Sequence, residues 1–272
     1  SFLITALTGA FPFIFIKSPS AMSLKDSYLT IVLTWLLSFI FGMLPYVLYG
    51  GEFTIINAWF ESVSGYTTTG STILTDIESL PKSLLFWRSS THFIGGLGVI
   101  VFLLIIIPGA SPLKYRLSNL EFSSLSKDRY SYRSGTIVRV MTLVYVGLAI
   151  LETLLLWAAG MSLFDAVNHS FSTVATGGFS TRNLSVMYYD SNTINIIIMV
   201  FMTLSSMHFG VLYATVVHRS VRPLRHPVSR YYLGVIAVLA ILVSLTLKIN
   251  SQGSWSECLM AGSFQTISYI ST

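Results

Sequence analysis

Ser62-Val63-Ser64-Gly65-Tyr66-Thr67-Thr68-Thr69-Gly70-Ser71 closes a semi-apolar run that begins at Phe53, and 108 residues later the pattern returns. There Ser170-Phe171-Ser172-Thr173-Val174-Ala175-Thr176-Gly177-Gly178-Phe179 closes the run that begins at Ser162. Ala58-x-x-Glu61-Ser62-x-Ser64 lies on Ala166-x-x-His169-Ser170-x-Ser172, and Gly70 falls on Gly178. A third copy, Gly262-Ser263-Phe264-Gln265-Thr266-Ile267-Ser268, lies 204 residues beyond the first. An apolar run of about ten residues is half of what a helix needs to cross a bilayer. Irregular backbone at that depth survives only where protein buries it or where it lines a wet cavity. The repeat therefore predicts half-helices that dip into a membrane and hand over to Thr/Gly segments.

The surrounding chain agrees. Five stretches are long and apolar enough to span: 28–49, 83–107 with Arg88, 140–160 with Glu152, 194–217 with His208, and 231–247. A shorter apolar run, 1–16, reads as the tail of a further helix, and the sequence reads as truncated at both ends. Of the 272 residues, 53% are hydrophobic and 10% charged, against roughly 25% charged in soluble domains. A soluble enzyme and a disordered chain are both excluded on that count. The net charge of +5 does not point to nucleic acid, because the basic residues sit between apolar runs. Cys258 is the one cysteine, so there is no internal disulfide and no cysteine-built zinc site. Lys114, Arg116, Lys127, Arg129 and Arg133 follow the second span, and Arg219, Arg222, Arg225 and Arg230 follow the fourth. The positive-inside rule puts these segments in the cytoplasm and the pore loops outside.

The fold class expected is an all-α integral membrane protein. Several repeated helix–pore-helix–filter-strand–helix units are expected to stand around one central ion pore. The boundaries are 1–27 (remnant of an N-terminal helix hairpin and linker), 28–110 (first pore repeat), 111–136 (basic loop), 137–218 (second repeat), 219–230 (basic loop) and 231–272 (start of a third). A half-helix ending at mid-membrane turns its C-terminal carbonyls, the negative end of its dipole, toward the centre. Main-chain oxygens of the segment that follows can replace the hydration shell of a monovalent cation. Thr67, Thr68, Thr69, Gly70, Ala175, Thr176, Gly177, Gly178, Ser271 and Thr272 are the expected filter residues. The monovalent cation would be held at Thr68, Thr69, Gly70, Thr176, Gly177, Gly178 and Thr272, as cargo, with no other cofactor. Glu61, Ser64, His169, Ser172, Gln265 and Ser268 are expected to support the filter from behind. An ionisable group at depth is a functional candidate by default, so a direct role for Glu61 or His169 stays open.

The first copy, with Leu80-Pro81, Phe86-Trp87-Arg88 and Gly95-Gly96-Leu97-Gly98 after it, resembles the first repeat of the Trk/Ktr/HKT superfamily of potassium transporters. His169-Ser170-Phe171-Ser172-Thr173-x-Ala175-x-Gly177-Gly178-Phe179-Ser180-Thr181 resembles the second. Within the superfamily the chain is most similar to the bacterial TrkH group, whose extra N-terminal hairpin suits the apolar run before Lys17. The resemblance implies four repeats arranged pseudo-four-fold around the pore with one filter glycine each, of which Gly70 and Gly178 are the two here. It implies potassium uptake across the cell inner membrane, homodimerisation, and control by a cytosolic nucleotide-binding subunit of TrkA type.

Other residues carry plainer expectations. Arg88 is expected to snorkel toward the interface. Glu152, about 12 Å inside its helix end, pairs with a neighbour or stays protonated. His92 and His208 read as packed polar groups, and Gly95, Gly96 and Gly98 as a close-packing helix face. The basic loops serve as topology signals, dock a regulatory partner or touch anionic lipid. A sodium-conducting relative is the nearest alternative, although Gly70 argues against it. A membrane-embedded enzyme would need paired Asp residues, or His with Ser or Glu converging at depth. A non-conducting scaffold has no reason to repeat a Thr/Gly segment after every half-helix.

Overall fold

The computed structural model describes residues 24–106, 134–207, 209–217, 220, 222–250 and 253–271. The apolar run 1–16, most of the loop 111–136, His208, Arg219 and Thr272 lie outside the described residues. Within them, the first unit is a long helix α1 (Leu24–Tyr49), a half-helix α2 (Ile55–Tyr66) and a long helix α3 (Lys82–Ile106). The second is α4 (Ser134–Ala158), a half-helix α5 (Leu163–Val174), and the pair α6 (Asn192–Ser205) and α7 (Phe209–Val217). The third begins with α8 (Pro227–Asn250) and α9 (Trp255–Ser271). The stretches Tyr28–Tyr49, Val138–Ala158 and Pro227–Asn250 are long and apolar enough to cross a membrane.

The half-helices start where their sequences supply a cap. Thr54 and Ser162 are N-caps whose hydroxyls accept from the Asn57 and Asp165 amides at 3.3 and 3.1 Å. At α9, Ser254 and Glu257 form a reciprocal capping box: Glu257 N donates to Ser254 Oγ and Ser254 N to Glu257 Oε2. Helices α2 and α5 have 12 residues each, about 18 Å, roughly half the thickness of a hydrocarbon core.

Among the described residues the long helices turn apolar side chains outward, while a polar centre is buried inside. Leu33, Leu37, Ile40 and Phe41 of α1 are exposed, as are Val235, Val238, Ile241 and Leu242 of α8. Glu61, Arg88, Thr91, His92, Asn168 and Ser170 are fully buried. Apolar clusters flank that polar centre, one from Tyr46, Phe53, Ala58, Leu84 and Leu85, another from Met141, Tyr145, Ala149 and Val174. Units follow one another by a single rule: α3 of the first packs on half-helix α5 of the second, and α6 of the second on half-helix α9 of the third.

One expectation needs correction. The stretch 194–217, read as an unbroken span, is two helices, the first ending at Ser205 and the second beginning at Phe209. The Ser206 hydroxyl bonds back to the Met202 and Thr203 carbonyls at 2.7 and 3.3 Å, and also meets the Tyr232 hydroxyl of α8. Met207 N turns to the Leu204 carbonyl, tightening the turn. The same back-bond at Thr30, Thr34 and Thr203 leaves their helices unbroken, so the features particular to Ser206 are the tightened Met207 turn and the contact with Tyr232. Hydrophobicity alone could not reveal the break.

Candidate ion filter

Both complete half-helices end in the same way. Thr69 N donates to the Ser64 carbonyl at 3.0 Å and Thr68 N to Gly65 at 3.1 Å. In the second unit Gly177 N donates to Ser172 at 2.8 Å and Thr176 N to Thr173 at 2.9 Å. These paired bonds are a Schellman motif, whose left-handed residue is usually glycine. Here it is threonine: Thr68 has φ +55° and Thr176 has φ +56°. A β-branched residue in that region is an outlier, costing on the order of 1–2 kcal/mol. The expected ribbon is thus not simply extended. It curls at Thr68 and Thr176 and again at Gly70 and Gly178, with φ of +74° and +85°.

The curl has a consequence for the carbonyls. With the amides turned back onto the half-helix, the main-chain oxygens of Thr67 to Gly70 and of Ala175 to Gly178 accept no hydrogen bond from the described residues. Unpaired carbonyls inside a membrane protein require another partner. The two segments also meet: a Cβ on Gly70 would strike the Gly177 carbonyl. Ser271, expected in a third segment, is the last residue of α9, at the position equivalent to Thr67. Its hydroxyl donates to the Ser268 carbonyl at 3.2 Å, while Gln265 is exposed.

Behind each segment a half-helix side chain holds the strand returning outward. Glu61 Oε1 accepts from Thr72 Oγ1 at 2.5 Å and from Ile73 N at 2.8 Å. His169, in the equivalent slot, joins the Asp165 carbonyl through Nδ1 at 2.8 Å and Ser180 Oγ through Nε2 at 3.0 Å. Thr72 and Ser180 share the 108-residue offset, so their partnership was legible, but sequence reasoning passed over both. Ser64 donates to the Ser71 carbonyl at 2.6 Å and Ser172 pairs with His92 at 3.1 Å.

Arg88 does not snorkel. It is 1% exposed, and its Nε donates to Glu61 Oε2 at 3.2 Å and its Nη2 to Thr72 at 3.1 Å. The carboxylate behind the first segment draws the guanidinium inward, an outcome invisible when Arg88 is read within its own span. Its helix α3 serves both segments. On one side, Thr91 fills the space a Cβ on Gly65 would take, and Gly95 abuts the Tyr66 backbone. On the other, the His92 ring abuts Gly177, and Gly96 lies against Ala175 and the Tyr145 hydroxyl. The close-packing role expected of Gly95 and Gly96 matches this, with half-helix ends as the neighbours. Glu152 is fully buried, and neither of its carboxyl oxygens has a hydrogen-bond partner among the described residues.

The two loops that follow the half-helix segments are latched together. Asn183 Oδ1 accepts from Ile77 N at 2.7 Å, its Nδ2 donates to Asp76, and its amide donates to Glu78. Arg182 bridges Glu78 and Asp165 at 3.3 and 3.2 Å. Burial pushes the Asp165 carboxyl up, but Thr181, Ser162 and Arg182 outweigh it and hold the group below the usual range. No three His, Cys, Asp or Glu among the described residues form a multivalent-metal site. The oxygens on offer are hard, neutral carbonyls, suited to a weakly bound alkali cation.

A family described as TrkH, cation transport protein, matches residues 1–249. The Trk system potassium uptake protein TrkH of Salmonella typhimurium is 37% identical over 252 residues, 91% of this chain and 52% of that protein. The Escherichia coli K12 protein of the same name is 35% identical over 262 residues, 94% and 54% of the two chains. The crystal structure of the potassium transporter TrkH from Vibrio parahaemolyticus superposes with a TM-score of 0.80 at 30% identity, covering 98% of this chain and 55% of that one. The chain spans about half the length of the curated relatives it matches.

Proposed function

Because the chain belongs to the TrkH family of cation transport proteins, we propose that it supplies two complete segments of a potassium filter and the start of a third, in a pore that admits potassium to the cell. One observation carries the reading. Two segments related by 108 residues share the same bonds, the same left-handed threonine and glycine, and the same unengaged carbonyls. A ring of such oxygens substitutes for the hydration shell of a potassium ion, and its preformed geometry sets the ion it fits. The strain held at Thr68 and Thr176 is the cost of presenting those oxygens rather than the amides.

The packing rule between successive units supports a pseudo-four-fold ring, each quarter being one of the repeats 28–110, 137–218 and 231 onward. Thr67 to Gly70 and Ala175 to Gly178 hold the ion, and Glu61, Ser64, His169 and Ser172 act from behind. The protein lies in the cell inner membrane with its pore loops outside, in contact with lipid. Similarity to proteins named as parts of a Trk system supports assembly with further subunits. The motifs favour a homodimer and a cytosolic nucleotide-binding regulator of TrkA type.

The test is rubidium or potassium uptake by the complete gene product in cells lacking their own potassium uptake systems. Gly70→Ser or Gly178→Ser, expressed at the normal level, is expected to abolish uptake. Unimpaired uptake by either variant would refute the assignment.

A further inference from the structure

Phe179 directly follows the filter glycine of the second unit, yet its ring belongs to the first. It is 3% exposed, lies 4.2 Å from the Arg88 guanidinium carbon and stacks on His92 at 4.0 Å between centroids. Arg88 and His92 are one helical turn apart on α3. Arg88 is in turn tied to Glu61 of half-helix α2, so an unbroken path runs from the first filter segment through Glu61, Arg88 and Phe179 to the second. Neither partner recurs at the repeat offset: Arg88 corresponds to Ile196, and Phe179 to Ser71. The link therefore has no duplicate between second and third units.

We propose that Phe179, held by Arg88 across the unit boundary, is a positioning residue that determines how strictly the filter discriminates potassium from sodium. The inference rests on the filter reading above. On the cavity-size account of selectivity, main-chain oxygens reject the smaller ion because they are held from closing around it, and the spacing of neighbouring segments must then be kept. Gly70 and Gly177 touch directly, but that contact limits only approach. Separation and tilt of the second segment are resisted by the attraction of the guanidinium for the ring face. Arg88 has the planar charge for this, and burial keeps water from screening it. Because Arg88 carries its positive charge behind the filter, paired with Glu61, it governs the cage without meeting the ion.

The experiment replaces Phe179 in the complete gene product by mono-, di- and trifluorophenylalanine, which keep the ring's shape while draining its negative face. Potassium and sodium uptake are measured for each in reconstituted vesicles. Discrimination is expected to fall stepwise along the series, by about tenfold at trifluorophenylalanine, while potassium uptake persists. Arg88→Lys, which keeps the charge but loses the plane, should fall likewise. The same series at Phe93, whose ring stacks on Phe171 at 4.4 Å, should leave discrimination unchanged. Equal discrimination across the Phe179 series, or an equal fall at Phe93, would overturn the proposal. If the unsubstituted protein takes up no potassium, the filter reading fails first and this inference with it.

Discussion

Replacing Glu61 and Arg88 singly and together gives the sharpest test of how the first filter segment is held. The pair is 0% and 1% exposed with 3.2 Å between Arg88 Nε and Glu61 Oε2. At an effective dielectric of 20, attraction at that distance is about 5 kcal/mol, and desolvation of both ions offsets much of it. Glu61→Gln leaves the acceptor for Thr72 and Ile73 but can point its amide at the guanidinium, donor against donor. Arg88→Met strands a buried carboxylate that keeps only Thr72 and Ile73 as donors. Each single change should cost about 3–5 kcal/mol, because each leaves one buried charge without its counterion. The double variant should cost about 1–2 kcal/mol, giving a coupling of several kcal/mol. Thermal unfolding of the complete gene product in detergent, converted to free energy at a common temperature, reads all three. Additive losses would show that the charges do not depend on one another, and the account of Arg88 as an inward-held brace would be wrong.

Gly95→Ala should destabilise the protein by more than 2 kcal/mol, about the upper range for overpacking, since the new methyl meets Tyr66 backbone and no side chain can yield; unfolding in detergent measures it. Thr68→Gly should leave stability unchanged or raise it by up to about 1 kcal/mol by removing left-handed strain, yet slow rubidium uptake by loosening the segment; faster uptake would contradict the strained geometry. The Asp165 carboxyl, in the first turn of α5, is held below its ordinary range, so it contributes stability above that range and loses it as pH falls through the lowered value. Hydrogen exchange at Arg182 and Asn183 should therefore accelerate only in strong acid, and Asp165→Asn should flatten that dependence.

Much of the candidate site was legible because it repeats. The offset of 108 residues located both half-helices, the two left-handed glycines Gly70 and Gly178 and the equivalence of Glu61 with His169, since like local patterns fold into like local motifs. Capping was equally readable from Thr54, Ser162 and Ser254. Arg88 was misjudged because its partner lies on another helix and a lone arginine in an apolar run is usually solvated at its tip. The break at Ser206 was missed because apolar periodicity says nothing of a hydroxyl that meets Tyr232 on another helix. The latch of Asn183 with Asp76, Ile77 and Glu78 joins loops more than 100 residues apart and carries no mark in either.

Composition, span length and repetition already specify a membrane protein with dipping half-helices, because the bilayer's thickness and its lack of hydrogen-bonding partners permit few other uses of such letters. Which side chains stand behind the candidate filter segments was decided only when α3 packed between two units and brought Glu61, Arg88, His92 and Phe179 within reach of one another. Electrostatic and aromatic partnership depends on distance in space, and no spacing along the chain encodes a contact that forms when separate units meet.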